Sequence, residues 1–225
     1  MNLALTGVAI VLAAGAVVAV TVREIRLGTV GLTAVLVAAA LLQDPLPSPA
    51  VLGVRIVGAL LVVALLRSVA PEGAEDGEVG SRLGWPSEAL IAGAAALAGL
   101  GIATSIARLA GIPAAGGVVA PVQSLADIAL SGGALASMAG AVLLTLGAAP
   151  GLLSRSAPRR TLGLLLMAQG VILLRAGLAG TPGDLEQLAI VGLLLACGVT
   201  GMAVTRAALE HETDVAAELA PEEDG

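Results

Sequence analysis

Of the chain's 225 residues, 57% are hydrophobic and 12% charged, and the mean hydropathy is +1.00. Those proportions exclude a single soluble core and point to an integral membrane protein. The formal net charge of -6 comes mostly from acidic loop and tail residues and argues against nucleic acid as a partner.

Read in order, the sequence predicts an all-α polytopic transmembrane helix bundle of about seven spans within residues 1–206, followed by an acidic cytoplasmic tail over 207–225. The first span, 3–22, has no positive charge before it and is followed directly by Arg23, Glu24 and Arg26, so it reads as a retained helix and not as a signal peptide. The second, 27–42, is short and closes at Gln43 and a proline-rich turn over 44–49. The third, 50–69, carries Arg55 within it and ends at Arg67.

A polar, glycine-rich and acidic loop over 71–84 leads to Trp85, Pro86 and Glu88. These have the character of a helix start, with proline tolerated in the first turn and an acid favourable to the helix dipole. Trp85 is also the one aromatic residue able to mark an interface, since Phe and Tyr are absent. The fourth span is 89–106. The glycines and prolines of 111–123 predict an irregular or re-entrant segment, and six spans plus such a segment is the alternative to seven. The fifth span, 130–149, follows Asp127.

Arginines 155, 159 and 160 separate it from the sixth span, 161–180, within which Gln169 is a lone amide and Arg175 a charge near the far end. The seventh span is 186–205. With the N-terminus outside, Arg23, Arg26, Arg67, Arg82, Arg155, Arg159, Arg160 and Arg206 all fall on the cytoplasmic side, as the positive-inside rule requires. Arg55, Arg108 and Arg175 are left over.

Arg55 and Arg175 then lie roughly 8 Å inside the outer ends of their spans, at 1.5 Å per residue. Either each snorkels its guanidinium to the interface, or it is paired, with Asp127 and Glu186 as the available acids. For Gln169 the choice is between a hydrogen bond to a neighbouring helix, worth about 1 kcal/mol of association, and a functional polar group within the membrane. The lone Cys197 can build neither a disulfide nor a thiolate metal site within the chain, and His211 has no second histidine or cysteine near it. No catalytic set, cofactor site or metal cluster is readable.

Four stretches resemble a known family. RRTLGLLLMAQGVILL (159–174) is similar to a motif shared by the membrane component E of hydrogenase-4 and, more distantly, subunit K of NADH-quinone oxidoreductase. In that motif a basic loop leads into a Gly/Leu-rich helix holding an intramembrane Glu-Asn-Gly, and Ala168, Gln169 and Gly170 stand at those positions. VREIRLGTVGL (22–32) resembles a basic loop of component E. In VRIVGALLVVALLR (54–67) the family's intramembrane lysine falls at Arg55, and HETDVAAEL (211–219) is similar to the C-terminal tail. The chain departs from the family where Ala168 and Gly192 lack a carboxylate, and a proton relay cannot be built on Ala, Gln and Gly.

The resemblance implies an accessory inner-membrane subunit of a complex-I-like respiratory, membrane-bound hydrogenase or antiporter-type complex, with no cofactor of its own. Antiporter-like membrane subunits would lie beside it and a peripheral redox arm on the cytoplasmic face. Arg55, Gln169, Arg175, Asp127 and Glu186 would be its intramembrane polar or coupling residues, in a structural or ion-coupling role. An independent small secondary transporter is the alternative, whose mark would be two related halves with broken helices in corresponding places.

Overall fold

The computed structural model describes residues 3–21, 25–43, 46–69, 93–95, 97–99, 132–154 and 156–219. Six long helices stand among them: α1 (Leu3–Thr21), α2 (Ile25–Leu41), α3 (Pro49–Val69), α4 (Gly132–Leu153), α5 (Ala157–Ala179) and α6 (Asp184–Leu219). Five contain stretches long and apolar enough to cross a membrane, namely Ala4–Thr21, Pro49–Ser68, Gly133–Leu152, Ala157–Ala179 and Asp184–Ala208. The chain is an all-helical, polytopic membrane protein. Without water to satisfy backbone N–H and C=O groups, apolar runs of this length have the helix as their stable form.

Local chemistry sets several of the ends. Pro49 opens α3 and Pro158 lies in the first turn of α5, where a missing N–H costs nothing. Gly180 closes α5 with φ 88°, a left-handed conformation that favours glycine. Asp184 and Glu186 occupy the first turn of α6 at the positive end of its dipole. That helix continues past residue 205 to Leu219, so the first part of the expected tail extends the last span. The expected loop 71–84, the helix start at Trp85, Arg108, the irregular stretch 111–123 and Asp127 lie outside the described residues. Of the fourth span, 93–95 and 97–99 are helical, and Gly99 packs against α4 at Ala141, Val142 and Thr145.

The helices form two layers of three. α2 lies between α1 and α3 in one layer and α5 between α4 and α6 in the other, with α1 on α4, α2 on α5 and α3 on α6. The most extensive contact joins α4 to α5. There Gly133, Gly140 and Gly147 face Gly177, Gly170 and Gly163 respectively, so that two sets of glycines seven residues apart meet in antiparallel register. A seven-residue recurrence keeps one stripe of each helix facing its partner, and the missing side chains let the two backbones touch.

Gly15 against Gly31 makes a similar close approach between α1 and α2. Leu32, Val35, Leu36, Leu143, Leu146, Leu165, Leu166 and Leu173 fill the space between the layers.

Contacts along each pair fix the directions. Arg55 meets Gln187 near the starts of α3 and α6, and Ser68 meets Met202 further along both, so these two helices run parallel. α6 is antiparallel to α5, as Arg175 beside Glu186 and Thr161 beside Gly201 show. Since α5 is in turn antiparallel to α4, α4 runs parallel to α3. The end of α3 and the start of α4 therefore lie at opposite ends of the bundle.

Candidate functional site

A polar cluster occupies the junction of α2, α3, α5 and α6. Arg55 lies six residues into α3, roughly 9 Å from its start at 1.5 Å per residue, and only 5% of it is exposed. Its Nη1 donates to Oε1 of Gln187 at 2.9 Å. Gln187, in the first turn of α6 and also buried, donates from Nε2 to Oε1 of Gln43 at 2.8 Å and to the carbonyl of Pro182 at 3.3 Å. The sequence thus supplies a cation and two amides from three separate segments, joined as Arg55 to Gln187 to Gln43.

The position of Gln43 follows from the length of α2. Its apolar stretch, Leu27–Leu41, spans roughly 22 Å at helical rise, against a hydrocarbon core of about 30 Å. The chain leaves the helix early, and Leu42 and Gln43 are buried instead of reaching the surface. An amide at that depth needs protein partners, and Gln187 is the one it finds.

Gln169 lies near the middle of α5 and is fully buried. Among the described residues neither Nε2 nor Oε1 of Gln169 has a hydrogen-bond partner, and Nε2 of Gln43 lacks one as well. Between Gln169 and Arg55 lies a cavity of about 10 Å³, lined by these two residues with Leu36, Gly58, Ala59, Val191 and Leu194. Gly58 holds α3 close to α6 there: a Cβ at that position would meet Cγ1 of Val191 at 2.6 Å.

The remaining expected site residues are elsewhere. Arg175 and Glu186 pair with each other where α5 ends and α6 begins, Nη2 to Oε1 at 2.7 Å, with about half of each side chain exposed. The Oε2 atom of Glu186 accepts from the backbone N–H of Gly183. Glu186 is therefore engaged by Arg175, and Arg55 takes the neighbouring Gln187. Sequence reasoning singled out Arg55 and Gln169 but missed Gln187 and Gln43; the available signal was that two of the chain's four glutamines flank apolar runs. No family model, curated protein or solved structure matches this chain.

Chemically the cluster offers a fixed positive charge and three amides. A guanidinium keeps its proton at any working pH and a carboxamide does not titrate, so these four residues bind and orient but do not exchange protons. Among the described residues no group of three or more His, Cys, Asp or Glu is placed to hold a metal ion. Cys197 is half-buried on α6, away from the cluster's hydrogen bonds.

Several arginines gather at the opposite end of the bundle. Arg67 ends α3 and donates from Nε to the Thr29 hydroxyl, Arg160 in the first turn of α5 donates to the Ser154 carbonyl, and Arg206 of α6 pairs with Glu210. Arg159 lies beside Arg160.

Proposed function

We infer that the chain is an accessory integral-membrane subunit of a complex-I-like assembly, of the respiratory, membrane-bound hydrogenase or antiporter type. It carries out no reaction of its own and holds the larger membrane subunits or couples to them. The observation that carries this reading is the buried Arg55, kept inside the bundle by a chain of amides. Inserting an arginine deep in a span costs on the order of 3 kcal/mol, and apolar residues at the same place would avoid that cost. A charge retained at such depth and oriented by neighbours has a use there. At this position the component E pattern has its intramembrane lysine, and Gln169 lies across the cavity where that pattern has Asn.

In this reading Arg55, Gln187, Gln43 and Gln169 form the polar element within the subunit, while Arg175, Glu186 and Asp127 contribute near the outer face. Antiporter-like subunits lie beside the bundle, and a redox arm docks on the cytoplasmic side. The arginines gathered at one end of the bundle favour an inner-membrane orientation with the N-terminus outside and the C-terminus cytoplasmic. Seven crossings, with the fourth over 89–106, agree with the end of α3 and the start of α4 lying at opposite ends of the bundle. With Ala168 and Gly192 in place of carboxylates, the subunit supplies a coupling charge and no complete proton path.

An independent small secondary transporter is the alternative reading. Broken helices in corresponding places, the mark of such transporters, are absent from the six helices described.

The mechanistic part is tested by comparing Arg55→Ala with Arg55→Lys in native membranes. Ion translocation driven by the assembly should be lost in the alanine variant and partly kept in the lysine variant, which retains the charge. Undiminished translocation in both would refute a coupling role for Arg55.

A further inference from the structure

The cavity between Arg55 and Gln169 has a chemistry that identifies its occupant. It is lined by Arg55, whose guanidinium carries five N–H donors with Nη1 given to Gln187, and by Gln169, whose carboxamide carries two donors and two acceptor lone pairs and has no partner among the described residues. The other described residues that line it are apolar: Leu36, Gly58, Ala59, Val191 and Leu194. Leaving a buried amide group unsatisfied costs about 1–3 kcal/mol, and buried polar groups in proteins are met by partners or by ordered water. We propose that this cavity is an internal hydration site, in which one ordered water accepts from the Arg55 guanidinium and bonds to the Gln169 amide.

Size and hydrogen-bonding capacity both select water. The cavity's volume of about 10 Å³ matches the roughly 10–15 Å³ a single water needs, and such waters typically make about three hydrogen bonds. Water can take either end of the Gln169 amide, because it both donates and accepts. A halide could serve only the Nε2 end, whereas water serves whichever end of the amide faces the cavity. A metal cation would be repelled by the guanidinium. With the water in place, a continuous polar chain runs from the Pro182 carbonyl and Gln43 through Gln187 and Arg55 to Gln169, near mid-depth in the bundle. Leu162, Leu165 and Leu166 are buried on the same helix toward its start.

The chain contains only four glutamines, Gln43, Gln123, Gln169 and Gln187, which makes the site directly readable. The full-length protein, with whatever assembly it is extracted in, is labelled with side-chain ¹⁵N glutamine, returned to lipid and examined by solid-state NMR with magnetisation transferred from water. The Gln169 resonance is assigned by its disappearance in Gln169→Met. Rapid transfer from water to the Gln169 amide is expected, and its loss in Ala59→Val, where added carbon fills the cavity. A Gln169 amide that receives no water magnetisation in the unaltered protein would overturn the proposal, as would transfer unchanged by Ala59→Val. A shift of the Gln169 resonance on exchanging chloride for gluconate would also overturn it, by assigning the site to a small anion.

Discussion

Arg55 brings its charge into the bundle and delivers it to an amide, not to an acid. A hydrogen bond to a charged group contributes about 1.5–3 kcal/mol when its partner is lost, so Gln187→Leu should destabilise the protein by about 2 kcal/mol. Removing both members removes the stranded charge as well, and buried polar pairs replaced by apolar residues are often neutral. The double variant Arg55→Leu with Gln187→Leu should therefore fall well short of the sum of the single effects, by roughly 1–2 kcal/mol. Thermal unfolding in a mild detergent measures all four species, and a coupling near zero would contradict the bond's role. Arg55 and Gln169 were legible in the sequence because each interrupts a long apolar run. The partner was not. Glu186 and Gln187 are adjacent, but one step along a helix turns the side chain by about 100°, sending Glu186 out to Arg175 and Gln187 in to Arg55. Gln43 and Gln187 also stand at the edges of spans, where an amide carries little cost and attracts no notice.

The pairing of α4 with α5 depends on glycine, because each backbone occupies the space where the other's Cβ atoms would be. An added Cβ at Gly140 would meet the backbone nitrogen of Leu174 at 2.5 Å and the carbonyl oxygen of Gly170 at 2.6 Å, and neither belongs to a flexible side chain. Gly140→Ala should cost about 3 kcal/mol, at the upper end of ordinary overpacking. Gly53→Ala is the control. Nothing lies within 4 Å of its Cβ position, and alanine is the better helix former, so a gain of about 0.5–1 kcal/mol is expected. Equal effects at the two sites in an unfolding assay would show that close packing does not hold α4 to α5. The helices themselves were legible from the length of their apolar runs, and the start of α3 from the proline-rich turn before it. The glycine register was not legible, because its seven-residue recurrence is lost among 30 glycines until the partner helix is known.

For the whole molecule, the arrangement of the helices was the least legible feature. None of the six has a polar face opposed to an apolar one: large apolar side chains such as Ile10, Val57, Leu60, Leu164, Val171, Leu193 and Val204 are exposed on helices whose other faces are just as apolar. A helix apolar all round signals burial in protein or lipid without saying which neighbour it meets. The parallel pairing of α3 with α6 emerges only from Arg55 with Gln187 and Ser68 with Met202. That pairing builds the polar cluster where four helices meet, and the exposed apolar faces leave room for lipid or further subunits around it. The most direct test of the subunit reading is to extract the tagged protein gently from its native membranes and identify what comes with it. Antiporter-like membrane subunits and a redox arm, recovered in constant ratio, are the predicted result; recovery of the chain alone, as a monodisperse monomer or homodimer, would contradict it.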